Sequence, residues 1–191
     1  MDWKEVTRTR ISSRSAPRVI WVGRISLEKR IDFIMKAFSI FSKEKSNARL
    51  ILVGDGPYKD HYFRYSQDIG ISDKVEWTGY KEDVFTYLLE GHVFVHACIS
   101  EEFGYTLVEA MATGLPVIAY DCPHGPGEVL DGGKYGLLVK SEEEMGLGLL
   151  EMFEDLSLWR YFSEKSIERS RYYDIELISK QYATFFERIL R

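Results

Sequence analysis

Cysteine, histidine and proline are scarce in this chain: two, four and five of 191 residues. A disulfide-stapled scaffold needs more cysteine in a shorter sequence, so Cys98 and Cys122 are expected as reduced, buried thiols in core strands. No CxxC pair and no Asp-x-Asp occurs, and no metal site is expected. Long apolar runs are missing too; none approaches the roughly 20 residues that span a bilayer. The opening MDWKEVTRTRISSRS has no apolar core and does not read as a secretory signal. These absences make a cytoplasmic protein the expectation. An excess of positive charge is lacking as well. The formal net charge is -5, which argues against a bare nucleic-acid binder and still leaves room for a small basic pocket.

What is present is a core. Apolar residues make up 45% of the sequence, enough for one packed domain. Short apolar runs recur at 18–23, 48–54, 74–79, 92–99, 115–121 and 135–140. Several are continuous rather than alternating, as in strands covered on both faces. Helical patterns lie between them. In 29–45, Ile31, Ile34, Met35, Phe38 and Phe41 share one face. Residues 58–69, 82–90, 104–113 and 142–155 are also expected to be helical, and 158–190 reads as two helices broken near 172–174. The alternation predicts an α/β fold, a Rossmann-like doubly wound parallel sheet whose ligands bind at the carboxyl ends of the strands. Residues 1–16, polar and weakly periodic, read as a linker. The body then spans 17–171 and a last helix 172–191. That helix carries an apolar stripe of Ile175, Ile178, Tyr182, Phe185, Phe186 and Ile189, and packing on its own domain is the plainer expectation.

The turns after the strands hold the candidate chemistry. Gly23 lets a ligand approach the backbone after the first strand. Arg24 and Lys29 follow, and two cations there suit a diphosphate. On spacing alone, two solvated surface cations is the plainer reading. The GDGP turn after the second strand, with Gly54 and Gly56, is a ligand-facing loop or an ordinary turn. Tyr80 and Val84 follow the third strand and offer a surface for a base or ribose, or ordinary packing.

The stretch SEEFGYTLVE is the most informative. Phe103 and Gly104 sit where a loop becomes a helix. The N-terminus of a helix offers unpaired N–H groups and partial positive charge, a natural phosphate site. Glu101 precedes that site, and Glu109 lies inside the helix among Leu107, Val108, Ala110 and Met111. A carboxylate in an apolar segment needs a partner, and carboxylates accept well from sugar hydroxyls. Two of them flanking an anion site describe a nucleotide sugar, with hexose at one, ribose at the other and diphosphate between; the plainer reading is that Glu101 and Glu102 favour the helix dipole and Glu109 is a surface residue. His124, in a loop, is more readily structural or solvated than catalytic, and His61, His92 and His96 carry no stronger signal.

Taken in order, VGRISLEKRID, LVGDGP, VEWTGY, EEFGYTLVE, AMATGLPVIAYD, DCPHGPGEVL and GKYGLLV resemble a known family across residues 17–140. The chain is similar to the C-terminal, donor-binding half of retaining glycosyltransferases of the GT-B fold (glycosyl transferases group 1, family 4). The resemblance implies that Arg24 and Lys29 bind the donor diphosphate, Glu101 faces the transferred sugar and Glu109 the ribose. It places the amides of Phe103, Gly104, Tyr105 and Thr106 against sugar and phosphate, and Gly23, Gly54, Gly56 and Tyr80 along the nucleotide cleft. It further implies a nucleoside-diphosphate sugar, UDP by preference, with no metal and no cofactor. The acceptor is a glycan or lipid-linked molecule, in bacterial surface polysaccharide synthesis at the inner face of the membrane.

The sequence departs from the family at Glu102 and Arg30, where glycine is common, and at His92, where aspartate is. The family's N-terminal acceptor domain, toward which the resemblance has the last helix (172–191) pack, is not in this sequence. A truncated chain, a partial gene product or one subunit of a split enzyme is therefore expected, inactive alone. Two other readings stand beside it: a nucleotide-sugar epimerase of related fold, and a catalytically silent subunit that docks on a partner chain.

Overall fold

In a computed structural model that describes residues 3–190, the apolar runs form six strands. They are β1 (Arg18–Val22), β2 (Arg49–Val53), β3 (Val75–Gly79), β4 (Val93–His96), β5 (Val117–Tyr120) and β6 (Leu137–Val139). All pair in parallel in one sheet, in the order β3-β2-β1-β4-β5-β6. The chain order reverses between β1 and β4, and that switch point is where a doubly wound sheet opens a crevice for ligands.

Burial on both faces explains why the runs are continuous. Val19, Trp21, Leu50 and Leu52 face one core, and Ile20, Val22, Ile51 and Val53 face the other. The first core is covered by α2 (Ile31–Glu44), α3 (Lys59–Asp68) and α7 (Glu142–Glu154). The second is covered by α4 (Phe85–Glu90), α5 (Tyr105–Ala112) and α6 (Pro126–Val129). A further helix, α8 (Leu156–Ser170), packs against α5 and α7. Its Trp159 enters the first core and donates from Nε1 to the His92 carbonyl at 2.8 Å.

Three expectations need correction. Residues 3–13, read as linker, form a helix, α1 (Trp3–Ser13); Met1 and Asp2 lie outside the described residues. Arginines account for it. The buried Arg10 guanidinium donates to Leu88 O at 2.8 Å, Leu89 O at 3.2 Å and Thr113 O at 2.7 Å, and so closes the C-terminal ends of α4 and α5. Arg14 donates to Met152 O in the last turn of α7 at 2.6 Å and lies over the Phe153 and Trp159 rings. Helix C-termini leave carbonyls without partners and favour cations, so two arginines seat α1 on three helices.

The second correction concerns the thiols: Cys98 and Cys122 are buried and free, as expected, but lie in the loops after β4 and β5 rather than in the strands. The third concerns the last helix. α9 (Ile175–Ile189) buries none of its residues, and Tyr182, Phe185, Phe186 and Ile189 are all more than half exposed. Its apolar stripe is not packed on its own domain; it meets chiefly the short 3-10 turn Arg171–Tyr173 that precedes it.

Candidate functional site

The loops leaving the carboxyl ends of β1, β2, β4 and β5 are tied together by backbone. Ile25 N–H donates to Asp55 O at 2.9 Å, Ile99 N–H to Glu28 O at 2.8 Å, and Glu101 N–H to Pro123 O at 3.3 Å. The contact between the first two loops depends on Gly54. Its φ of 145° suits glycine, and a Cβ there would lie 1.8 Å from Gly23 O. Gly56 presses on the Ile25 carbonyl in the same way, where a Cβ would lie 2.2 Å away.

Between the loops lies a hollow of about 390 Å³ lined by Val22, Gly23, Arg24, Val53, Gly54, Asp55, Tyr80, Lys81 and Val84. It gathers five residues singled out from sequence: Gly23, Arg24, Gly54, Tyr80 and Val84. Gly56 is not among its walls; its role is the close approach of two backbones. Tyr80 is 78% exposed and forms an open rim. A larger groove, about 790 Å³, runs between α1 and α8 and contains none of the sequence candidates.

Lys29 and Glu101 form the second part of the site. Lys29 closes a 3-10 turn (Leu27–Lys29), and its Nζ lies 2.6 Å from Glu101 Oε2. The same oxygen is 3.3 Å from Nε2 of His96, the last residue of β4. The His96 hydrogen bond and then Lys29 hold the Glu101 carboxyl down to about 2, against the opposing effect of burial. Burial works to lower Lys29 as well, but the Glu101 bond and nearby acidic groups outweigh it and leave the ammonium raised. Burial pushes His96 down, against the opposing pull of the Glu101 carboxylate. The sequence reading sent Lys29 to phosphate and Glu101 to sugar; the structure brings the two into one ion pair. It also missed His96. A histidine ending an apolar run reads as core, and only the fold reveals that Glu101 returns to it.

The residue after Lys29 explains one departure from the family pattern. Arg30 has φ 42° and ψ 50°, a left-handed conformation that favours glycine. Its guanidinium lies 4.8 Å from the centroids of both Phe33 and Tyr120. Stacking of this kind offsets part of the strain.

Gly104 precedes α5 as its cap residue, with φ 93°, and Phe103 lies in the loop rather than in the helix. No side chain caps this end, so the first-turn amides of Tyr105 and Thr106 have no intrahelical acceptor. Phe103 packs on Tyr105 at 4.9 Å and on Tyr173 at 5.4 Å, and Tyr105 is 75% exposed beside that opening. Glu109 sits one turn further on, half-buried, and burial raises its carboxyl above the ordinary value. It pairs with no cation among the described residues.

His92 and His96 stand four apart, a spacing that would put two metal ligands on one face of a helix. Here His92 immediately precedes β4 and His96 ends it, which separates them by about 13 Å. His92 instead accepts from Arg18 N–H at 3.0 Å and meets Ser13 Oγ at 3.0 Å. Among the described residues no three His, Cys, Asp or Glu side chains are grouped to hold a metal ion. No described helix is long and apolar enough to cross a membrane.

A six-stranded parallel sheet in this order, covered by helices on both faces, is one half of a GT-B architecture. Residues 6–169 match the model of glycosyl transferases group 1, and the chain belongs to that family. It is 28% identical to an uncharacterized glycosyltransferase of Methanocaldococcus jannaschii, over 87% of this chain and 48% of that protein. It is 33% identical to the alpha-monoglucosyldiacylglycerol synthase of Streptococcus pneumoniae, over 68% of this chain and 30% of that one. The fold superposes on Anabaena HepE, solved in complex with UDP, with a TM-score of 0.84 at 21% identity, over 97% of this chain and 53% of the other. The chain thus spans about half or less of the length of the curated relatives it matches.

Proposed function

We propose that this chain is the donor-binding half of a retaining glycosyltransferase. The donor is a nucleoside-diphosphate sugar, UDP-linked by preference. The acceptor is a glycan or lipid-linked molecule met through a separate acceptor domain, in bacterial surface polysaccharide synthesis. The observation that carries the reading is the Lys29–Glu101 pair at the carboxyl ends of β1 and β4, where a cation and an ionised carboxylate share one corner of the switch crevice.

Each part then has a task. The hollow walled by Gly23, Gly54, Tyr80 and Val84 takes the base and ribose, with Glu109 accepting from ribose hydroxyls. Arg24 and Lys29 bind the diphosphate, Glu101 faces the sugar, and the α5 amides at Gly104, Tyr105 and Thr106 face sugar and phosphate. Charge grows on the diphosphate as the glycosidic bond breaks. Preorganised cations and a helix N-terminus stabilise it most where water is excluded. The departing phosphate takes the acceptor proton on the face it leaves, so configuration is retained. The two cations and the helix supply the positive charge, and the reading includes no metal or cofactor. A UDP-bound protein of the same fold and a glucolipid synthase among the relatives support the donor and acceptor classes.

Calorimetric titration with UDP, GDP and ADP tests this reading on the native chain and on Arg24→Ala and Glu109→Ala. One nucleotide should bind saturably and lose affinity in both variants. The chain alone should not transfer sugar. A folded chain that binds no nucleotide would remove the reading and leave the silent docking subunit, for which the exposed stripe of α9 is the obvious surface.

A further inference from the structure

Glu101 meets two donors through one oxygen, Lys29 Nζ at 2.6 Å and His96 Nε2 at 3.3 Å. The His96 side chain is 3% exposed. Its Nδ1 is buried with no hydrogen-bond partner among the described residues. A ring with one bare nitrogen and the other facing an ionised carboxylate takes the tautomer with hydrogen on Nε2, which donates to Glu101. Burying an unpartnered ring nitrogen is unfavourable, and an aliphatic side chain at the end of β4 would avoid it. The gain must therefore lie at Glu101.

In the function proposed above, the donor diphosphate engages Lys29, and Glu101 then loses its cation. A carboxylate shielded from water keeps its charge and orientation only with another donor at hand. We propose that His96 is a positioning residue that holds Glu101 in place while Lys29 is drawn to the donor diphosphate. Three groups face one another in this exchange: Lys29 from the loop after β1, Glu101 from the loop after β4, and His96 from β4 itself. The inference rests on the reading of Lys29 as a diphosphate ligand.

Nitrogen-15 NMR of the histidine side chains tests it on the native chain, free and saturated with UDP. The His96 ring should carry its proton on Nε2 in both states, and that proton should move downfield with UDP as its bond to Glu101 strengthens. His96→Leu should bind UDP about tenfold more weakly, the scale of one hydrogen bond to a charged group. His96→Gln, whose amide can donate from nearly the same place, should recover most of that loss. A proton on Nδ1, a His96 signal unmoved at saturation, or equal losses in the two variants overturns the proposal. UDP binding with an unmoved His96 sinks this inference alone; failure of the native chain to bind UDP, GDP or ADP sinks the donor reading with it. If His96→Leu does not fold, the spectra of the native chain decide.

Discussion

The Lys29 ammonium and the Glu101 carboxylate meet at 2.6 Å across 72 residues of sequence, joining the loop after β1 to the loop after β4. Glu101 is held at about 2 in the fold, against an ordinary 4.5. A depressed carboxyl contributes stability above its unfolded value and loses it as pH falls towards the folded one. Glu101→Gln should be less stable than the native chain by roughly 2 kcal/mol near neutral pH, and the gap should close between pH 4.5 and about 2. Urea denaturation across that range reads it; a gap constant with pH would mean the ion pair adds nothing to the fold.

Glu109 gives the opposite sign. Burial raises its carboxyl above 4.5, and ribose hydroxyls would donate to the ionised form. UDP affinity should therefore weaken as pH is lowered from neutrality through the raised value, and Glu109→Gln should remove that slope. Calorimetry at several pH values on both proteins is the measurement, and identical slopes would take Glu109 out of the donor site.

Arg10 is the only donor seen to Leu88 O and Thr113 O from a side chain among the described residues. Arg10→Met keeps much of the aliphatic stem, strips Thr113 O of its side-chain donor and leaves Leu88 O with the Gly91 N–H at 3.2 Å. The expected loss is about 3 kcal/mol or more by equilibrium unfolding. A loss under about 0.5 kcal/mol would show that α1 is dispensable, as a linker would be.

Gly54 and Gly70 separate backbone strain from steric conflict. Both have positive φ, but a Cβ at Gly70 meets nothing within 4 Å, whereas one at Gly54 would overlap Gly23 O. Gly70→Ala should cost about 1 kcal/mol and leave UDP binding intact. Gly54→Ala should cost several times more and abolish binding, because the wall of the hollow must shift. Equal effects in thermal melts and titrations would contradict the geometry of the two loops.

The sheet was legible because two-sided burial writes itself as unbroken apolar runs, such as 48–54 around β2, and because glycine marks the turns that follow. The same topology brings the turns that carry Gly23, Arg24, Gly54, Tyr80 and Val84 around one hollow, because strand-end turns of a parallel sheet lie together. What stayed hidden depends on partners distant in sequence. Arg10 looks like linker polarity until the ends of α4 and α5 arrive beside it, and His96 looks like core until Glu101 folds back. Arg30 breaks the preference for glycine at its φ, and nothing local announces that Phe33 and Tyr120 will receive its guanidinium. The stripe on α9 was legible, but its position in space was not, since amphipathicity says that a face will be covered and not by what.

Arg10 touches the C-terminal end of α5, and Gly104 begins the other end. The eight residues between make a rod about 12 Å long. Arg10 therefore anchors α1 at the end of α5 opposite the one that presents the amides of Tyr105 and Thr106, and the candidate crevice is braced from behind by a segment that contributes nothing to its walls.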